Sequence, residues 1–147
     1  MGGVTEQAQD SPVGWVADHI REYVETGGEQ GHEWRPGVPT LLLTTTGRRT
    51  GTRHRTALIY GRDGDDYLIV ASKGGAPRHP AWYLNLEANP DVEVQVRDEE
   101  FPARARTAAG AERERLWSVM TAVWPSYRQY QEKTSRRIPV IVLTPSG

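Results

Sequence analysis

The chain has 147 residues, of which 37% are hydrophobic and 25% charged, so it has the length of one domain and too many apolar residues for a disordered protein. It contains no cysteine, which excludes disulfides, thiolate metal ligands and a cysteine nucleophile. The formal net charge of −1 at pH 7 gives no overall basic excess, so we expect no nucleic-acid partner, and any anion site must be a local segment.

No apolar run approaches the roughly 18 residues of a membrane span, and the first residues lack the basic-then-apolar pattern of a secretory signal. We therefore expect no transmembrane segment and a cytoplasmic protein, whose contact with the inner face of the membrane, if any, is peripheral. The sequence leaves the oligomeric state open.

The first predicted elements are a tail and a helix. Residues 1–10 are small and polar and predict a disordered tail, which leaves residues 11–147 as a single domain. Ser11 and Pro12 are typical of a helix start, and Gly27 ends that helix. The apolar residues at helical spacing on its inner face are Val13, Val16, Ile20, Tyr23 and Val24.

Short extended runs, separated by glycine, proline and charged residues, make up most of the remaining chain. They span residues 38–46, 55–60, 67–72, 92–96, 101–106 and 138–143. In the fourth run Val92, Val94 and Val96 alternate with polar residues, which is the pattern of a strand with one buried face. Residues 61–66 and 97–100 predict two hairpin connections, and strands of this kind suit an antiparallel sheet or barrel.

Two further helical segments interrupt the strands. A short helix opens at Pro80 and closes at Asn89, and a longer one begins near Ala111, breaks at Pro125 and resumes through Tyr130. The sequence therefore predicts an α+β fold, in which about six mostly antiparallel strands form a barrel flanked by helices.

Residues 44–55 form the first segment whose composition points to binding. Between two predicted strands they carry Arg48, Arg49, Arg53, His54 and Arg55. Glycines let a backbone approach a ligand closely, and guanidinium groups make charge-assisted hydrogen bonds to phosphate or carboxylate oxygens. The segment has the composition of an anion cradle but lacks the spacing of a Walker loop. A hairpin tip whose arginines face water fits the segment equally well.

Residues 71–80 form a second such segment, which runs from a strand end into a helix start. A helix N-terminus attracts anions, and Lys73 and Arg78 add positive charge. One basic glycine-rich loop is a weak signal. Two of them in a nearly neutral chain indicate one multiply charged ligand that spans both.

An aromatic stripe surrounds the break at Pro125, with Trp124, Tyr127 and Tyr130 three residues apart. Aromatic residues at helical spacing usually belong to a core. Close polar neighbours leave a second interpretation, in which the stripe is a wall that offers phenolic donors to a flat ring. We expect no metal ion, because the four histidines form no ligand spacing, and no serine hydrolase, because no G-x-S-x-G elbow occurs.

In their order and spacing these segments resemble the deazaflavin (coenzyme F420)-dependent nitroreductase family of actinobacteria. The resemblance extends from about residue 36 to residue 145. It rests on residues 44–51, 71–76, 80–86, 88–90, 125–127 and 138–140. It implies a split β-barrel, coenzyme F420 (an 8-hydroxy-5-deazaflavin) as the cofactor, and hydride transfer from its ring to a quinone or nitro-aromatic acceptor.

The resemblance also implies which residues form the site. The implied coenzyme-binding set is Arg48, Arg49, His54, Arg55, Ser72, Lys73, Gly74, Gly75, Ala76 and Trp82. The implied catalytic set is Ser72, Tyr127 and Tyr130, which would stabilise the negative charge that develops on the acceptor oxygen. We rank Tyr127 above Tyr130, because it directly follows the break at Pro125 and so lies at a helix start.

Three positions depart from the residues that are usual in this family. His54 stands where arginine is usual and Ala57 where proline is usual, so either Arg55 makes the phosphate contact or the coenzyme is held more weakly. Trp124 stands where tyrosine is usual, which removes a hydroxyl and narrows the pocket.

The residues themselves are also compatible with other functions. An FMN-dependent split-barrel oxidoreductase needs the same phosphate cradle, but it needs no site for the glutamate tail that F420 carries and FMN lacks. A protein that binds deazaflavin without catalysis, or an arginine-rich RNA binder, needs no acceptor site.

Overall fold

The structure, a computed structural model, describes residues 9–10, 14–35 and 37–146. The strands are β1 (Gln9–Asp10), β2 (Glu33–Arg35), β3 (Val38–Thr46), β4 (Arg53–Ile59), β5 (Gly61–Asp63), β6 (Asp66–Val70), β7 (Asp91–Val96), β8 (Glu99–Thr107) and β9 (Val140–Pro145). The helices are α1 (Gly14–Thr26), α2 (Ala81–Ala88), α3 (Gly110–Val123) and α4 (Ser126–Glu132). A 3₁₀ turn spans Lys73–Gly75.

One curled sheet organises the molecule. Its strand order is β1-β4-β3-β7-β8-β9-β6-β5, with β2 paired to β3. Among the described residues every pairing is antiparallel except that of β1 with β4. Strands β4 and β6 lie far apart in this order but contact each other, so the sheet closes partway on itself. The predicted α+β split barrel is therefore confirmed.

The barrel buries apolar side chains on both faces of its central strands. Leu41 and Leu43 of β3 point into the barrel core, whereas Leu42 between them packs against Ile20 and Tyr23 of α1. Strands β6 and β9 alternate in the same way, with one face in the barrel and the other under α3 and α4. Because both faces of β6 and β9 are covered by other side chains, these two strands are nearly continuous apolar runs. Strand β7 instead alternates between buried and exposed residues, as predicted.

Several predictions need correction at the level of elements. The six predicted strands are present, but the short strands β1, β2 and β5 were not predicted, and β5 occupies part of the predicted 61–66 connection. Strand β9 begins two residues later than predicted, at Val140. The prediction of a buried face is wrong for Val24, which is 40% exposed.

The start of the chain is described only in part. The residues of β1 pair in parallel with His54 and Arg55, so the last two residues of the predicted tail form a strand. Residues 1–8, the predicted helix start at Ser11 and Pro12, and Val13 lie outside the described residues, as does the side chain of Val16. No helix in the described part of the chain is long and apolar enough to cross a membrane.

Candidate functional site

Helix α2 connects the two basic segments at one end of the barrel. Its eight residues span about 12 Å. The helix begins directly after the 71–80 segment, and near its other end Asn85 contacts the tip of the β3–β4 hairpin. The two segments that the sequence pointed to are therefore attached to one short, rigid element.

The hairpin tip is held to α2 by Asn85, which is buried (4% exposed). Its Oδ1 accepts from the backbone N–H of Arg48 at 3.2 Å and from the Arg48 guanidinium at 2.8 Å. Its amide also donates to Thr45 Oγ1 at 3.5 Å. Gly47 and Gly51 close the turn with backbone hydrogen bonds, and both Arg48 and Arg49 are exposed. The tip is thus an ordered turn that presents two guanidinium groups.

The side chains of β4 alternate between two faces of the sheet. His54 pairs with Thr45, whose hydroxyl meets Asn85, so His54 lies on the α2 face. Its ring covers Gly47, where an added Cβ would lie 3.2 Å from His54 Nε2. Arg53 and Arg55 flank His54 in the strand and therefore lie on the opposite face. This placement does not favour Arg55 as a substitute for an arginine at position 54.

A groove of about 430 Å³ opens on that opposite face. Arg53 lines it and forms an ion pair with Glu93 at 2.9 Å. Asp91 lines the same groove. Two carboxylates make this groove unsuitable for phosphate groups, so the α2 end of the barrel is the better candidate.

The second basic segment turns sharply after β6. Lys73, Gly74 and Gly75 have φ values of +47°, +63° and +84°. Lys73 is one of two described non-glycine residues with a positive φ. An added Cβ on Gly75 would lie 2.5 Å from the Tyr130 carbonyl oxygen, so only glycine fits where α4 packs on the turn. Residues 72–76, termed here the 72–76 loop, thereby lie against the backbone of Tyr130.

Three consecutive N–H groups of this loop, those of Ser72, Lys73 and Gly74, donate to no described residue. Ser72 is in the right-handed helical region (φ −82°, ψ −39°) and Lys73 in the left-handed region. This succession of conformations turns neighbouring N–H groups toward one point, which suits an anionic oxygen. Lys73 and Gly74 are exposed, so the point is open to a ligand.

Arg136 lies behind the 72–76 loop. Its guanidinium donates to the carbonyl oxygens of Ala76 at 2.8 Å, Ser72 at 2.7 Å and Ala71 at 3.2 Å. It also lies 3.0 Å from His79 Nδ1. Burial and the neighbouring guanidinium lower the pKa of His79, so the neutral ring can accept this hydrogen bond.

The aromatic stripe divides into a buried and a half-buried part. Tyr127 is 5% exposed and packs with Leu116 and Met120, and burial raises the pKa of its hydroxyl. The Tyr130 ring lies edge-on to Tyr127, 6.0 Å away between centroids, and is only half-buried. Trp124 Nε1 donates to the Tyr130 hydroxyl at 3.4 Å. The environment of Tyr130 suits a ligand contact better than that of Tyr127.

Some of the predicted site residues lie together in the structure, whereas Arg55 lies on the opposite face of the sheet. The 72–76 loop packs through Gly75 against the backbone of Tyr130. Trp82 lies one turn before Asn85 on α2 and packs half-buried against the barrel core. Asn85 and Arg136 were not predicted. An asparagine that interrupts the hydrophobic residues 81–86 is a signal that could have identified Asn85, whereas nothing in the sequence distinguishes Arg136 from Arg137 beside it.

The chain is similar to known proteins in sequence and in fold. The model of a family described as F420H2-dependent quinone reductase matches residues 15–145. An F420H2-dependent quinone reductase of Mycobacterium tuberculosis strain H37Rv is 47% identical over 129 residues, which cover 86% of this chain and 87% of the relative. The solved structure of an F420-H2 dependent reductase (FDR-A) is 43% identical with a TM-score of 0.67, over 71% of this chain and 93% of that one. Another solved structure, a domain-swapped dimer, is 39% identical with a TM-score of 0.70, over 90% and 99%.

The split barrel is the fold of a solved F420-H2 dependent reductase, and the two basic loops at one of its ends are the candidate site. The matches in sequence identify the family to which the chain belongs. The chain belongs to the F420H2-dependent quinone reductase family, a family of oxidoreductases whose coenzyme is F420. The resemblance inferred from the motifs is confirmed.

Proposed function

We propose that the protein transfers a hydride from reduced coenzyme F420 to a small quinone at the α2 end of the barrel. The observation that carries this proposal is the 72–76 loop, where the N–H groups of Ser72, Lys73 and Gly74 have no described protein partner and Gly75 packs against the backbone of Tyr130. In a family of F420-dependent oxidoreductases, such a loop is suited to the negative groups of the coenzyme.

The residues present fit an anionic coenzyme. Arg48, Arg49 and Lys73 are exposed and would bind its phosphate and carboxylates through charge-assisted hydrogen bonds. Asn85 holds the hairpin tip in place for this contact. The other proposed coenzyme contacts are His54, Arg55, Ser72, Gly74, Gly75, Ala76 and Trp82, of which Arg55 has the least support because it lies on the opposite face of the sheet.

When bound, the reduced deazaflavin supplies two electrons and a proton as a hydride. Reduction of a quinone also requires a proton at its oxygen, and Tyr130 is the proposed donor. Because Trp124 donates to the Tyr130 hydroxyl oxygen, the Tyr130 proton is left for another acceptor. The half-buried Tyr130 can recover its proton from water. In this proposal Ser72 makes a second polar contact with the acceptor oxygen, and Tyr127 supports the Tyr130 ring.

A nitro-aromatic compound is a second proposed acceptor, because its nitro oxygens also take up negative charge that a hydroxyl donor can stabilise. The same proton donor would serve both classes of acceptor.

The test is a titration of the purified protein with oxidised F420 and with FMN, followed by mixing with reduced F420 and a short-chain naphthoquinone. We expect much tighter binding of F420 than of FMN and oxidation of the reduced coenzyme only when quinone is present. Equal affinity for the two coenzymes would favour an FMN enzyme. Tight F420 binding without turnover of any quinone or nitro compound would favour a non-catalytic deazaflavin-binding protein.

A further inference from the structure

Arg136 and Arg137 are neighbours in sequence but have different environments. Arg137 is exposed and pairs with Glu114, which also pairs with Arg113. Arg136 is part-buried and forms no ion pair with any described acid. Its guanidinium instead contacts three backbone carbonyls and one imidazole. A positive charge without an acid partner is thus held directly behind the 72–76 loop.

The carbonyl contacts fix the direction of the peptide groups in this loop. The peptide bonds are trans, so each N–H points away from the carbonyl of the preceding residue. Since Arg136 holds the carbonyls of Ala71 and Ser72, the N–H groups of Ser72 and Lys73 are turned away from it. These are two of the three N–H groups that have no described protein partner.

The planar fork of arginine is what this arrangement requires. Nε, Nη1 and Nη2 each donate to a different carbonyl, at 2.8, 3.2 and 2.7 Å. A lysine ammonium at the same place would keep the charge, but as a point charge it cannot hold three separated acceptors in the same geometry.

We propose that Arg136 is a positioning residue for the coenzyme site: its guanidinium fixes the 72–76 loop so that the N–H groups of Ser72 and Lys73 face an anionic oxygen of the bound coenzyme. This inference rests on the proposed function. It assigns Arg136 no contact with the substrate, and it separates Arg136 from Arg137, although the two residues carry the same charge.

The test compares Arg136→Gln and Arg136→Lys with Arg137→Gln, which makes the same change of charge one residue away. The first measurement is amide hydrogen exchange in the coenzyme-free protein, at the N–H groups of Ala71, Gly75 and Ala76. We expect faster exchange at these amides in both Arg136 variants, with β3 and β7 still protected, and no change in Arg137→Gln.

The second measurement is coenzyme affinity and single-turnover hydride transfer. We expect the Kd for oxidised F420 to rise about tenfold or more in both Arg136 variants, as for the loss of one charge-assisted hydrogen bond, with a smaller change in rate at saturating coenzyme. Unchanged exchange and a Kd within about twofold of wild type would overturn the inference. Full recovery of both properties in Arg136→Lys would show that the charge, not the fork, is what matters, and would also overturn it.

A failure to fold and a failure to bind F420 lead to conclusions different from those above. If Arg136→Gln fails to fold, the Arg136→Lys variant decides the question by the same two measurements. If the wild-type protein binds no F420, the proposed function fails, whereas unchanged exchange in a protein that does bind F420 removes only the role of Arg136.

Discussion

Tyr127 and Tyr130 are three residues apart on α4, yet their hydroxyl groups have different surroundings. The packing of Tyr127 with Leu116 and Met120 identifies it as a core residue, as the first interpretation of the aromatic stripe held. Tyr130 is half-buried and receives a hydrogen bond from Trp124. The ranking of Tyr127 above Tyr130 remains a prediction, but these contacts favour the reverse order.

Tyr130→Phe should therefore slow hydride transfer to a quinone, with about a hundredfold as the upper end expected for the loss of one hydroxyl donor. Affinity for F420 and the midpoint of thermal unfolding should change little. Tyr127→Phe should keep nearly full activity, while Tyr127→Ala should lose stability by about 3–5 kcal/mol because it empties a packed position. Single-turnover kinetics and thermal unfolding measure these effects. A slow Tyr127→Phe enzyme beside a fully active Tyr130→Phe enzyme would restore the original ranking.

Asn85 shows how one buried polar side chain can position a binding loop. Replacement by leucine removes the acceptor of two hydrogen bonds from Arg48, so we expect a loss of about 1–2 kcal/mol in the free energy of unfolding. Because the hairpin tip is then no longer held to α2, F420 should also bind about tenfold more weakly. Asn85→Asp keeps the acceptor and is the control for stability alone, because its added negative charge would itself weaken the binding of an anionic coenzyme. Denaturant unfolding and coenzyme titration test the prediction, which fails if the leucine variant binds F420 as the wild type does.

At the level of elements, the site depends on how closely α4 packs on the 3₁₀ turn. Gly75→Ala places a methyl group 2.5 Å from the Tyr130 carbonyl oxygen, which is too close for two non-bonded atoms. The left-handed backbone conformation also costs an alanine about 1–2 kcal/mol. We expect α4 to shift, and both stability and quinone reduction to fall. Gly74→Ala is the control, because its φ is also positive but nothing lies within 4 Å of the new methyl group. Because Gly74 is itself a proposed coenzyme contact, the comparison is of thermal midpoints, and similar midpoints for the two variants would contradict this account.

The sequence predicted those elements whose signal lies in their own residues. Strand β3 has the predicted bounds because its apolar run has a turn at each end. Strands β1, β2 and β5 were missed, because two or three residues are too short for an alternating pattern and form strands only through their partners. The same distinction between local and distant signals applies to the residues of the site. Composition identified the two basic loops, but the contacts of Arg136 join residues about 60 positions apart and leave no local pattern.

At the level of the whole molecule, a net charge of −1 leaves little long-range attraction for an anionic coenzyme. Binding should therefore depend on local contacts at the two basic loops. Each charge-assisted hydrogen bond contributes roughly 1.5–3 kcal/mol, so Arg49→Ala should weaken F420 binding by about one to two powers of ten, with little effect on the rate at saturating coenzyme.

The same variant tests whether the contact is electrostatic. Arg49 is exposed, so added salt should screen its interaction with the coenzyme over a Debye length of about 10 Å at 0.1 M. The Kd of the wild-type protein should consequently rise more steeply with salt than that of Arg49→Ala. FMN has a phosphate but no glutamate tail, so its weaker binding should depend less on Arg49. Titrations of both coenzymes at several salt concentrations provide the measurement. Parallel salt curves for the wild type and Arg49→Ala, with a slower chemical step in the variant, would instead place Arg49 at the acceptor.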